Sequence, residues 1–438
     1  MVPVPRSTQV LVVGGGPAGS STAWHLATAG LDVTLVDRAQ FPRAKPCAEY
    51  VSPEGARILH AMGALETLDR ASSSALTGMV VHAPSGATIH GAFLAGHGFR
   101  GFRDHGIGVR RETLDSILLD RARSVGVTVI EQAKVDDILA DGRGGACGVR
   151  LRTSAGVSDV RTTLVVGADG LRSVIAHRLS LAHSSRWPRR IALVAHFRGV
   201  AGMGSLGEMH VFKDGYVGLA AVGDGVTNIA LVVPRRIARG MAGDAEGFLL
   251  KWLSARPSLA GRFVHAQRVS PVRVIGPFAS HARRAWASGA LLVGDAADFF
   301  DPFTGEGIYA ALRGGELAMP FAVEAVRALE RRQPDESVRA LRAYDSARRE
   351  TFAGKWRVER VIGTAVAFPS LMNAAARVLR RDADLADLVV GVTGNFVPPS
   401  ALLAPRTVLR TIGRLLFPSP SPAVSVAAHN YSVTSREH

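Results

Sequence analysis

The stretch Val10-Leu-Val-Val-Gly-Gly-Gly-Pro-Ala-Gly19 decides the fold of this chain. Its first four residues form an unbroken apolar run, which is typical of a parallel strand buried on both faces. Gly14, Gly16 and Gly19 then give the spacing G-x-G-x-x-G. The first glycine permits a tight turn, the second lets the backbone approach a pyrophosphate, and the third lets a helix pack closely on the strand. The stretch therefore predicts a strand, a turn and a helix that together bind a dinucleotide.

The residues that follow complete this unit. Residues 20–29 predict a helix of small side chains whose free N–H groups and positive end would face phosphates. Residues 33–36 predict a second strand, which ends in Asp37. This acid stands about 20 residues beyond the glycines, where a carboxylate binds the ribose 2′-hydroxyl. A lone G-x-G-x-x-G is weak evidence, but its position between strand and helix, with an acid at this distance, makes the motif specific.

The composition bounds the class of protein. The chain has 438 residues, of which 20% are charged, so we expect a globular protein of two or three domains. No run reaches the roughly 18–20 apolar residues of a membrane-spanning helix, and no signal-peptide pattern opens the chain, so we expect the cytoplasm. Cys47 and Cys147 are the only cysteines. They are too few for a disulfide framework, and no Cys/His cluster predicts a metal site.

The net charge of +15 is large, but it does not predict a nucleic-acid partner. The arginines are scattered in short pairs, such as Arg189-Arg190 and Arg283-Arg284, and no nucleic-acid module or basic stripe with aromatic residues accompanies them. We interpret the excess as compositional bias, with attraction to an anionic membrane surface as the second interpretation.

Two later stretches repeat the plan of the opening, and a different pattern lies between them. Residues 164–173 place Asp169 and Gly170 after an apolar strand, and residues 290–308 place Gly294 and Asp295 after another. Between these units, residues 190–233 alternate with period two and contain the turn signals Lys213-Asp-Gly and Gly223-Asp-Gly. This pattern predicts an antiparallel sheet on the substrate side, joined by a hairpin over residues 79–90 and a long return strand over residues 266–274.

The three turns in this order resemble the FAD-containing fold of aromatic hydroxylases, flavin halogenases and geranylgeranyl reductases, over about residues 8 to 340. The resemblance implies an α/β protein with a Rossmann-like FAD-binding domain of the glutathione-reductase type, an inserted antiparallel substrate domain and a C-terminal helical region. The expected bounds are residues 1–75, 100–185 and 265–340 for the FAD domain, 76–99 and 186–264 for the substrate domain, 341–416 for the helical region, and 417–438 for a disordered tail.

The resemblance also implies which residues bind FAD. In the family, the Asp-Gly motif contacts FAD and the nicotinamide donor, the aspartate of the Gly-Asp motif holds the ribityl chain, and an arginine lies near the phosphoribityl portion. Carried onto this sequence, the cofactor-binding residues are Gly14, Gly16, Pro17, Ala18, Gly19, Asp37, Arg38, Arg111, Asp169, Gly294, Asp295, Gly305, Glu306, Gly307 and Ile308.

The stretches around the expected flavin ring are most similar to the geranylgeranyl-reductase branch. Lys45-Pro-Cys-Ala-Glu-Tyr resembles its Lys-x-Cys-Gly-Glu stretch, and Pro302-Phe-Thr-Gly-Glu-Gly-Ile resembles its Pro-x-x-Gly-Glu-Gly-Ile. The branch's Tyr-x-Trp-x-Phe-Pro motif is incomplete here, because residues 216–222 read Tyr-Val-Gly-Leu-Ala-Ala-Val. The candidates for catalytic roles are Cys47, Tyr216, Pro302 and Gly305; a small buried hydrophobe remains the alternative for Cys47.

The resemblance implies a single-component flavoprotein reduced by NADPH or NADH, and it leaves the fate of the reduced flavin open. In a monooxygenase, O2 would form a C4a-hydroperoxide that hydroxylates or epoxidises a hydrophobic or aromatic substrate. In a reductase, the flavin would return hydride to an alkene of an isoprenoid or lipid, and an acid or thiol would protonate the other carbon. The missing tryptophan motif favours the monooxygenase. The third alternative is a flavin-binding accessory protein without turnover.

The C-terminal part alternates basic and apolar residues. Residues 355–381 and 402–416 predict basic amphipathic helices. Such helices cover the FAD domain in the simplest interpretation, and in the alternative they contact the inner membrane face and give access to a lipid-like substrate. The sequence predicts a hydrophobic small-molecule substrate and leaves the oligomeric state open.

Overall fold

The first sheet is built around the opening strand. In the computed structural model, which describes residues 3–93, 97–184, 187 and 189–416, the strand Ser7–Val13 pairs in parallel with Val33–Val36 and with Gly156–Gly167. This parallel arrangement confirms the α/β class and the Rossmann-like unit. The strands of this sheet are Ser7–Val13, Val33–Val36, Thr128–Ile130, Lys134–Ala140, Ala146–Thr153, Gly156–Gly167, Trp286–Ala287 and Ala290–Leu292.

Helix Pro17–Thr28 follows the opening strand and packs closely on helix Gly307–Glu330. Glycines permit both close approaches. A Cβ atom on Gly19 would lie 1.7 Å from the carbonyl oxygen of Gly14, and one on Gly315 would lie 2.6 Å from a backbone nitrogen of the facing helix. The third glycine of the motif therefore brings the helix against the strand, as the sequence predicts.

The second sheet is a meander joined to a hairpin, as the period-two pattern predicts. Its strands pair antiparallel, except that Leu206–Phe212 runs parallel to Gly78–His82. Eight strands form it: Gly78–His82, Thr88–Ala92, Arg190–Arg198, Leu206–Phe212, Gly215–Ala221, Val226–Pro234, Gln267–Arg268 and Arg273–Ile275.

The prediction of one long return strand over residues 266–274 is wrong. The chain forms two short strands there, because Pro271 has no N–H to donate and the Ser270 hydroxyl binds His196 instead. Both short strands pair with Arg190–Arg198. Residues 267–275 thus belong to the second sheet, although the sequence assigned residues 265–340 to the FAD domain.

The remaining elements connect and cover the two sheets. Two further sheets are small. One comprises Tyr50–Val51, Ser74–Leu76 and Gly106–Gly108, and the other comprises Ala182–Ser184, Ser280–Ala282 and Asp298–Phe299. The helices are Pro17–Thr28, Gly55–Ala61, Leu65–Arg70, Arg111–Ser124, Val174–Arg178, Arg235–Ala238, Ala245–Ser254, Pro257–Ala260, Gly307–Glu330, Pro334–Ala367, Pro369–Leu379, Ala383–Thr393 and Pro405–Leu416. Short 3-10 helices span Arg239–Met241, Gly261–Phe263, Gly294–Ala296, Pro302–Thr304 and Pro399–Leu403.

The C-terminal region is helical from Pro334 to Leu416, as expected. The tail over residues 417–438 lies outside the described residues. Within the described ranges, no single helix has both the length and the apolar composition for crossing a membrane; Pro334–Ala367 and Pro369–Leu379 meet that test only jointly and are bent by 112° at their break.

Candidate active site

A large cleft, here called the main cleft, is lined on one side by turns that follow strands of the first sheet and on the other by strands of the second sheet. It comprises about 1900 Å³ of space, solvent at its mouth included. The main cleft therefore adjoins both the turns expected to bind the cofactor and the apolar face of the second sheet.

The structure brings most of the sequence-predicted residues to the main cleft. The predicted residues that line it are Gly16, Pro17, Ala18, Cys47, Arg111, Tyr216, Gly294, Asp295, Pro302, Gly305, Glu306, Gly307 and Ile308. The other predicted residues are not part of this lining. Gly14, Gly19 and Asp37 shape the first turn, Asp169 precedes Gly170 of the lining, and Arg38 is exposed to solvent.

The first turn presents backbone N–H groups to the cleft. Gly14 has φ +107°, and a Cβ atom there would lie 2.5 Å from the Ala168 carbonyl oxygen, so the turn requires glycine. Asp37 Oδ2 accepts a hydrogen bond of 2.7 Å from the Gly15 N–H, which ties the turn to the end of the second strand. Helix Pro17–Thr28 begins here, and because its N-cap residue is Gly16, no N-cap side chain caps the helix. Its free N–H groups and positive end can therefore bind phosphate oxygens.

Two arginines extend this positive region. Nη2 atoms of Arg43 and Arg111 lie 3.5 and 3.6 Å from the position of a Cβ atom on Gly16. Arg111 is buried and forms a bidentate pair with Asp115, which also binds Arg43 Nη1 at 3.1 Å. Burial opposes the charge on Arg111, but Asp115 and the adjacent Cys47 outweigh it and raise the pKa of Arg111. The pair fixes two cations beside the turn where the pyrophosphate is expected.

Asp295 and Lys45 face the cleft beyond this turn. In the described part of the chain, the Asp295 carboxylate makes no hydrogen bond, and burial raises its pKa although Lys45 and Arg111 act in the opposite direction. Lys45 is likewise in no ion pair among the described residues, and burial together with Arg111 lowers its pKa. An unpartnered acceptor and an unpartnered donor at the cleft surface suit the hydroxyl and carbonyl groups of a polar cofactor chain.

Asp169 has one structural oxygen and one unpartnered oxygen. Its Oδ2 accepts a hydrogen bond of 2.6 Å from the Val174 N–H at the start of helix Val174–Arg178. Its Oδ1 is buried without a hydrogen-bond partner within the described ranges, and burial raises the pKa of the carboxyl. Gly170, with φ +82°, follows it and lines the cleft beside Lys45 Nζ. The turn shapes the cleft through both residues.

Cys47 lies in the same wall as Arg111. Its thiol packs against the cluster of apolar side chains under helix Gly307–Glu330, and its carbonyl oxygen accepts a hydrogen bond of 2.8 Å from Asn228 Nδ2 on the second sheet. The loop that carries Cys47 is thereby attached to the substrate side. The thiol faces the main cleft beside a guanidinium group.

Glu306 lies at the cleft end of helix Gly307–Glu330, where it precedes the first helical residue. Its side chain is buried, and Oε2 is 3.5 Å from Lys355 Nζ without forming a hydrogen bond. Burial, together with the nearby Glu359 carboxylate, raises the pKa of Glu306 to about 8, although Lys355 opposes this. Glu306 therefore holds a proton inside the cleft at neutral pH.

Tyr216 lines the cleft with its ring, but its hydroxyl group is engaged. The hydroxyl donates a 2.7 Å hydrogen bond to Asp301 Oδ1, and Arg190 Nη1 binds Asp301 Oδ2 at 2.7 Å. Burial and the Asp301 carboxylate raise the pKa of Tyr216 well above its ordinary value. The three buried side chains join the second sheet to the loop that begins at Pro302. The catalytic role of Tyr216 stays a prediction.

The loop Pro302–Gly305 forms a short 3-10 turn that ends in a left-handed glycine. Asp301 Oδ1 also accepts a hydrogen bond of 3.1 Å from the Phe303 N–H, which starts the turn. Gly305 has φ +72°, and a Cβ atom there would lie 3.0 Å from Tyr50 Cδ1. At Gly305 the backbone therefore reaches the cleft surface without a side chain, which suits contact with a flat ring.

Sequence reasoning missed one wall of the main cleft. Helix Pro334–Ala367 lines it with Arg348, Phe352, Lys355, Trp356 and Glu359. Lys355 and Glu359 form an ion pair, and Trp356 Nε1 donates a 2.8 Å hydrogen bond to Asp298. The signal available in the sequence was the Lys-x-x-x-Glu spacing within an amphipathic helix, but such pairs are usually exposed.

A cluster of potential metal ligands lies elsewhere in the second sheet. One ligand atom from each of His82, Glu208 and His210 falls within 4.8 Å of the others. Both Glu208 oxygens, however, bind the Arg262 guanidinium. Burial acts to raise the pKa of Glu208, but Arg262 and His210 outweigh it and lower the pKa to about 2. The carboxylate is thus already neutralised by a cation. No local sequence pattern indicates the cluster, because His82 is far from the other two residues along the chain.

The residues of the main cleft fit FAD. The glycine turn and the uncapped helix supply N–H groups for a pyrophosphate, Asp37 stands at the end of the second strand, and Asp295 offers a carboxylate without a partner in the described part of the chain. Gly305 lines the same cleft and suits the ring system. Fold and site together define an FAD-dependent oxidoreductase.

Comparisons with known proteins place the chain more narrowly. A model of the FAD binding domain family matches residues 7–196. Two digeranylgeranylglycerophospholipid reductases of Methanopyrus kandleri are similar: reductase 2 is 29% identical over 89% of this chain and 93% of its own length, and reductase 1 is 30% identical over 78% and 86%. The chain belongs to the family of FAD-dependent oxidoreductases that includes these reductases.

A solved structure supports the fold. The myxobacterial chondrochloren halogenase CndH superposes with a TM-score of 0.73, over 95% of this chain and 92% of the halogenase, at 22% identity. At this identity the likeness concerns the fold alone. The prediction of a hydroxylase-like FAD fold from three glycine turns is therefore confirmed.

Proposed function

We propose that this protein is an FAD-dependent reductase that saturates a carbon–carbon double bond of an isoprenoid or similarly hydrophobic lipid. The observation that carries this proposal is the Cys47 thiol, which faces an apolar cleft beside the Arg111 guanidinium. The similarity to two prenyl-lipid reductases over most of their length agrees with it.

The chain's own residues would bind and orient such a substrate. The substrate side of the main cleft is apolar, so it would exclude water and hold a hydrocarbon chain mainly by burial. Residues that form this apolar surface include Met79, Val194, Met209, Val232, Phe278 and Phe299. The Gly305 backbone and the start of helix Gly307–Glu330 would set the position of the alkene against the ring of the cofactor.

The glycine turn and Asp295 would hold FAD, which after reduction by a nicotinamide nucleotide would supply a hydride to one alkene carbon. Cys47 Sγ would give its proton to the other carbon, so that one hydride and one proton add across the double bond. The thiolate that remains would be stabilised by the Arg111 guanidinium, whose charge is fixed by Asp115. Solvent would return the proton to Sγ. Glu306 would hold a further proton near the same cleft.

A monooxygenase is the second candidate, and the strand Gly215–Ala221 favours it. Where the prenyl-reductase motif carries tryptophan and phenylalanine, this strand has Gly218 and Ala220, which both line the main cleft. These small residues leave room for a wider, aromatic substrate. In that case O2 would be a co-substrate, and the product would gain one oxygen atom. An accessory protein without turnover remains the third alternative, and it predicts no substrate-stimulated oxidation of NAD(P)H.

One experiment separates the three alternatives. The FAD-loaded protein is mixed with NADPH or NADH and a geranylgeranyl lipid, with and without O2. The oxidation of the nucleotide is followed, and the molecular mass of the product is measured by mass spectrometry. A gain of two hydrogens without O2 supports the reductase, a gain of one oxygen supports the monooxygenase, and no oxidation above background supports the accessory protein.

Variants of the two cysteines test the proton donor. Cys47→Ala should slow alkene reduction by about 100-fold or more, as expected for loss of a general acid, while FAD content stays unchanged. Cys147 lies on the strand Ala146–Thr153, away from the main cleft lining, so Cys147→Ala is the matched control and should be silent. Full activity in Cys47→Ala would sink the assignment of the thiol.

A further inference from the structure

A second cleft lies beside the main one and carries positive charge. It comprises about 490 Å³, solvent at its mouth included, and we call it the basic cleft. Its polar lining consists of Lys45, Arg110, Glu112, His196, Ser270 and Arg273. With three cations and one carboxylate, and with His196 counted as neutral, this lining has a net charge of +2.

The cations of the basic cleft are incompletely paired. Arg273 is exposed and Lys45 is partly buried, and neither makes an ion pair among the described residues. Arg110 binds Glu112 at 2.5 Å through Nη2, but its Nε atom is buried without a hydrogen-bond partner in the described part of the chain. The chain thus holds more donors here than its own acceptors use, which predicts an anionic ligand.

The wall of the basic cleft is rigid. His196 is buried and bound at both ring nitrogens: Nδ1 lies 2.9 Å from Ser270 Oγ, and Nε2 lies 2.6 Å from Glu49 Oε2. Glu49 Oε1 in turn accepts the Arg111 N–H at 2.9 Å, at the first residue of helix Arg111–Ser124. This chain of hydrogen bonds connects the basic cleft to the loop that carries Cys47. A ligand in the cleft would meet fixed donors, which reduces the entropy lost on binding.

The two clefts adjoin each other. Lys45, Pro46 and Val194 line both of them. A molecule long enough to pass this shared wall could place one end in the basic cleft and the other beside the flavin ring. Three cations line the basic cleft, so a phosphate, with its greater charge and larger number of oxygens, suits them better than a single carboxylate does.

We propose that the basic cleft binds the phosphate or diphosphate group of a molecule whose other end lies in the main cleft. Two sources share this chemistry: the nicotinamide dinucleotide that delivers electrons, and a substrate lipid with a phosphorylated head. The inference rests on the proposed function only in taking the main cleft as the place of the redox reaction.

Binding measurements on the FAD-loaded protein test this inference without turnover. NADP+, geranylgeranyl phosphate and geranylgeraniol are titrated separately, and flavin fluorescence gives each Kd; the oxidised nucleotide carries the phosphates but cannot reduce the flavin. Arg273 lines the basic cleft but not the main cleft, so Arg273→Ala should weaken binding of a phosphate ligand by about tenfold or more. Arg273→Lys keeps the charge but loses the paired contacts of the guanidinium, so it should weaken binding less than Arg273→Ala does. Arg236→Ala is the matched control, because Arg236 is an exposed arginine outside both clefts.

The pattern of losses identifies the source. Weaker binding of NADP+ alone assigns the cleft to the nicotinamide nucleotide, and weaker binding of geranylgeranyl phosphate but not geranylgeraniol assigns it to a lipid head. Loss for both phosphates supports the shared chemistry. Unchanged affinities in Arg273→Ala, an equal loss for geranylgeraniol, or no binding of either phosphate to the unaltered protein would overturn the inference. Failure of alkene reduction alone would count against the proposed function and not against the basic cleft.

Discussion

Two aspartates three residues apart should respond in opposite ways to the same substitution. Asp295 faces the main cleft and has no hydrogen-bond partner in the described part of the chain, and burial raises its pKa. Asp298 binds Arg348 and accepts a 2.8 Å hydrogen bond from Trp356 Nε1. Replacement by asparagine removes the charge and keeps the shape at both positions.

The magnitudes follow from these partners. In the apoprotein, Asp295→Asn removes a partly buried and unpaired charge, so the free energy of unfolding should rise by about 1 kcal/mol. The hydrogen bond to the cofactor loses its charge assistance, so the Kd for FAD should rise roughly tenfold. Asp298→Asn leaves the buried Arg348 with only Asp345, at 3.6 Å, and should cost about 2 kcal/mol. This cost is below that of a fully buried pair because Asp298 is 26% exposed.

Urea unfolding of the FAD-free variants gives the free energy of unfolding, and titration with FAD gives the Kd for FAD. Tryptophan fluorescence and circular dichroism should report coincident transitions, which justifies comparing free energies. A stabilised apoprotein with weakened FAD binding is expected for Asp295→Asn only. If Asp295→Asn destabilised the apoprotein or left the affinity for FAD unchanged, the assignment of this carboxylate to the cofactor would be refuted.

Three further predictions use the same assays. Tyr216→Phe should lower the free energy of unfolding by about 1.5 kcal/mol, because its hydroxyl binds a buried carboxylate, yet leave turnover within a few-fold if the hydroxyl is not catalytic; a large loss of turnover at normal stability would restore a catalytic role. Gly19→Ala should purify without FAD, since the new Cβ would lie 1.7 Å from the Gly14 oxygen, whereas Gly142→Ala, with no atom within 4 Å of its Cβ position, should bind FAD normally. Glu306 keeps a proton in the folded protein up to about pH 8 and in the unfolded chain only up to about pH 4.5. Its contribution to stability is therefore lost as pH rises through this range, by at most about 1.4 kcal/mol per pH unit. The free energy of unfolding of Glu306→Gln, measured from pH 5 to 8, should lack this slope, and an unchanged slope contradicts the assignment.

The cofactor half of the site could be predicted from the sequence because its signals are local. Gly14, Gly16 and Gly19 follow one strand directly, and the Gly294–Asp295 turn follows another, so the ends of parallel strands bring them together. A backbone that must approach phosphates leaves glycine at fixed spacings. These spacings are readable without knowledge of distant contacts.

The substrate half could not be predicted in the same way, because it depends on contacts between distant residues. Tyr216 is held by Asp301, and Glu306 faces Lys355; nothing in the local sequence relates these pairs. The break of the return strand at Pro271 shows the same difficulty, since Ser270 turns towards His196, which lies 74 residues earlier. The candidate role of Tyr216 followed from its neighbours in the sequence, and the structure instead shows a hydroxyl group committed to a buried carboxylate.

The helix Pro334–Ala367 has a consequence for engineering. It supplies Arg348, Lys355 and Trp356 to the main cleft, although it lies wholly outside residues 7–196, where the FAD binding domain model matches. The helix that closes the reaction chamber thus belongs to a different stretch of the chain from the cofactor-binding turns at Gly14 to Gly19 and at Asp295. A chimera that receives this helix from a relative should keep its cofactor while acquiring a different substrate range.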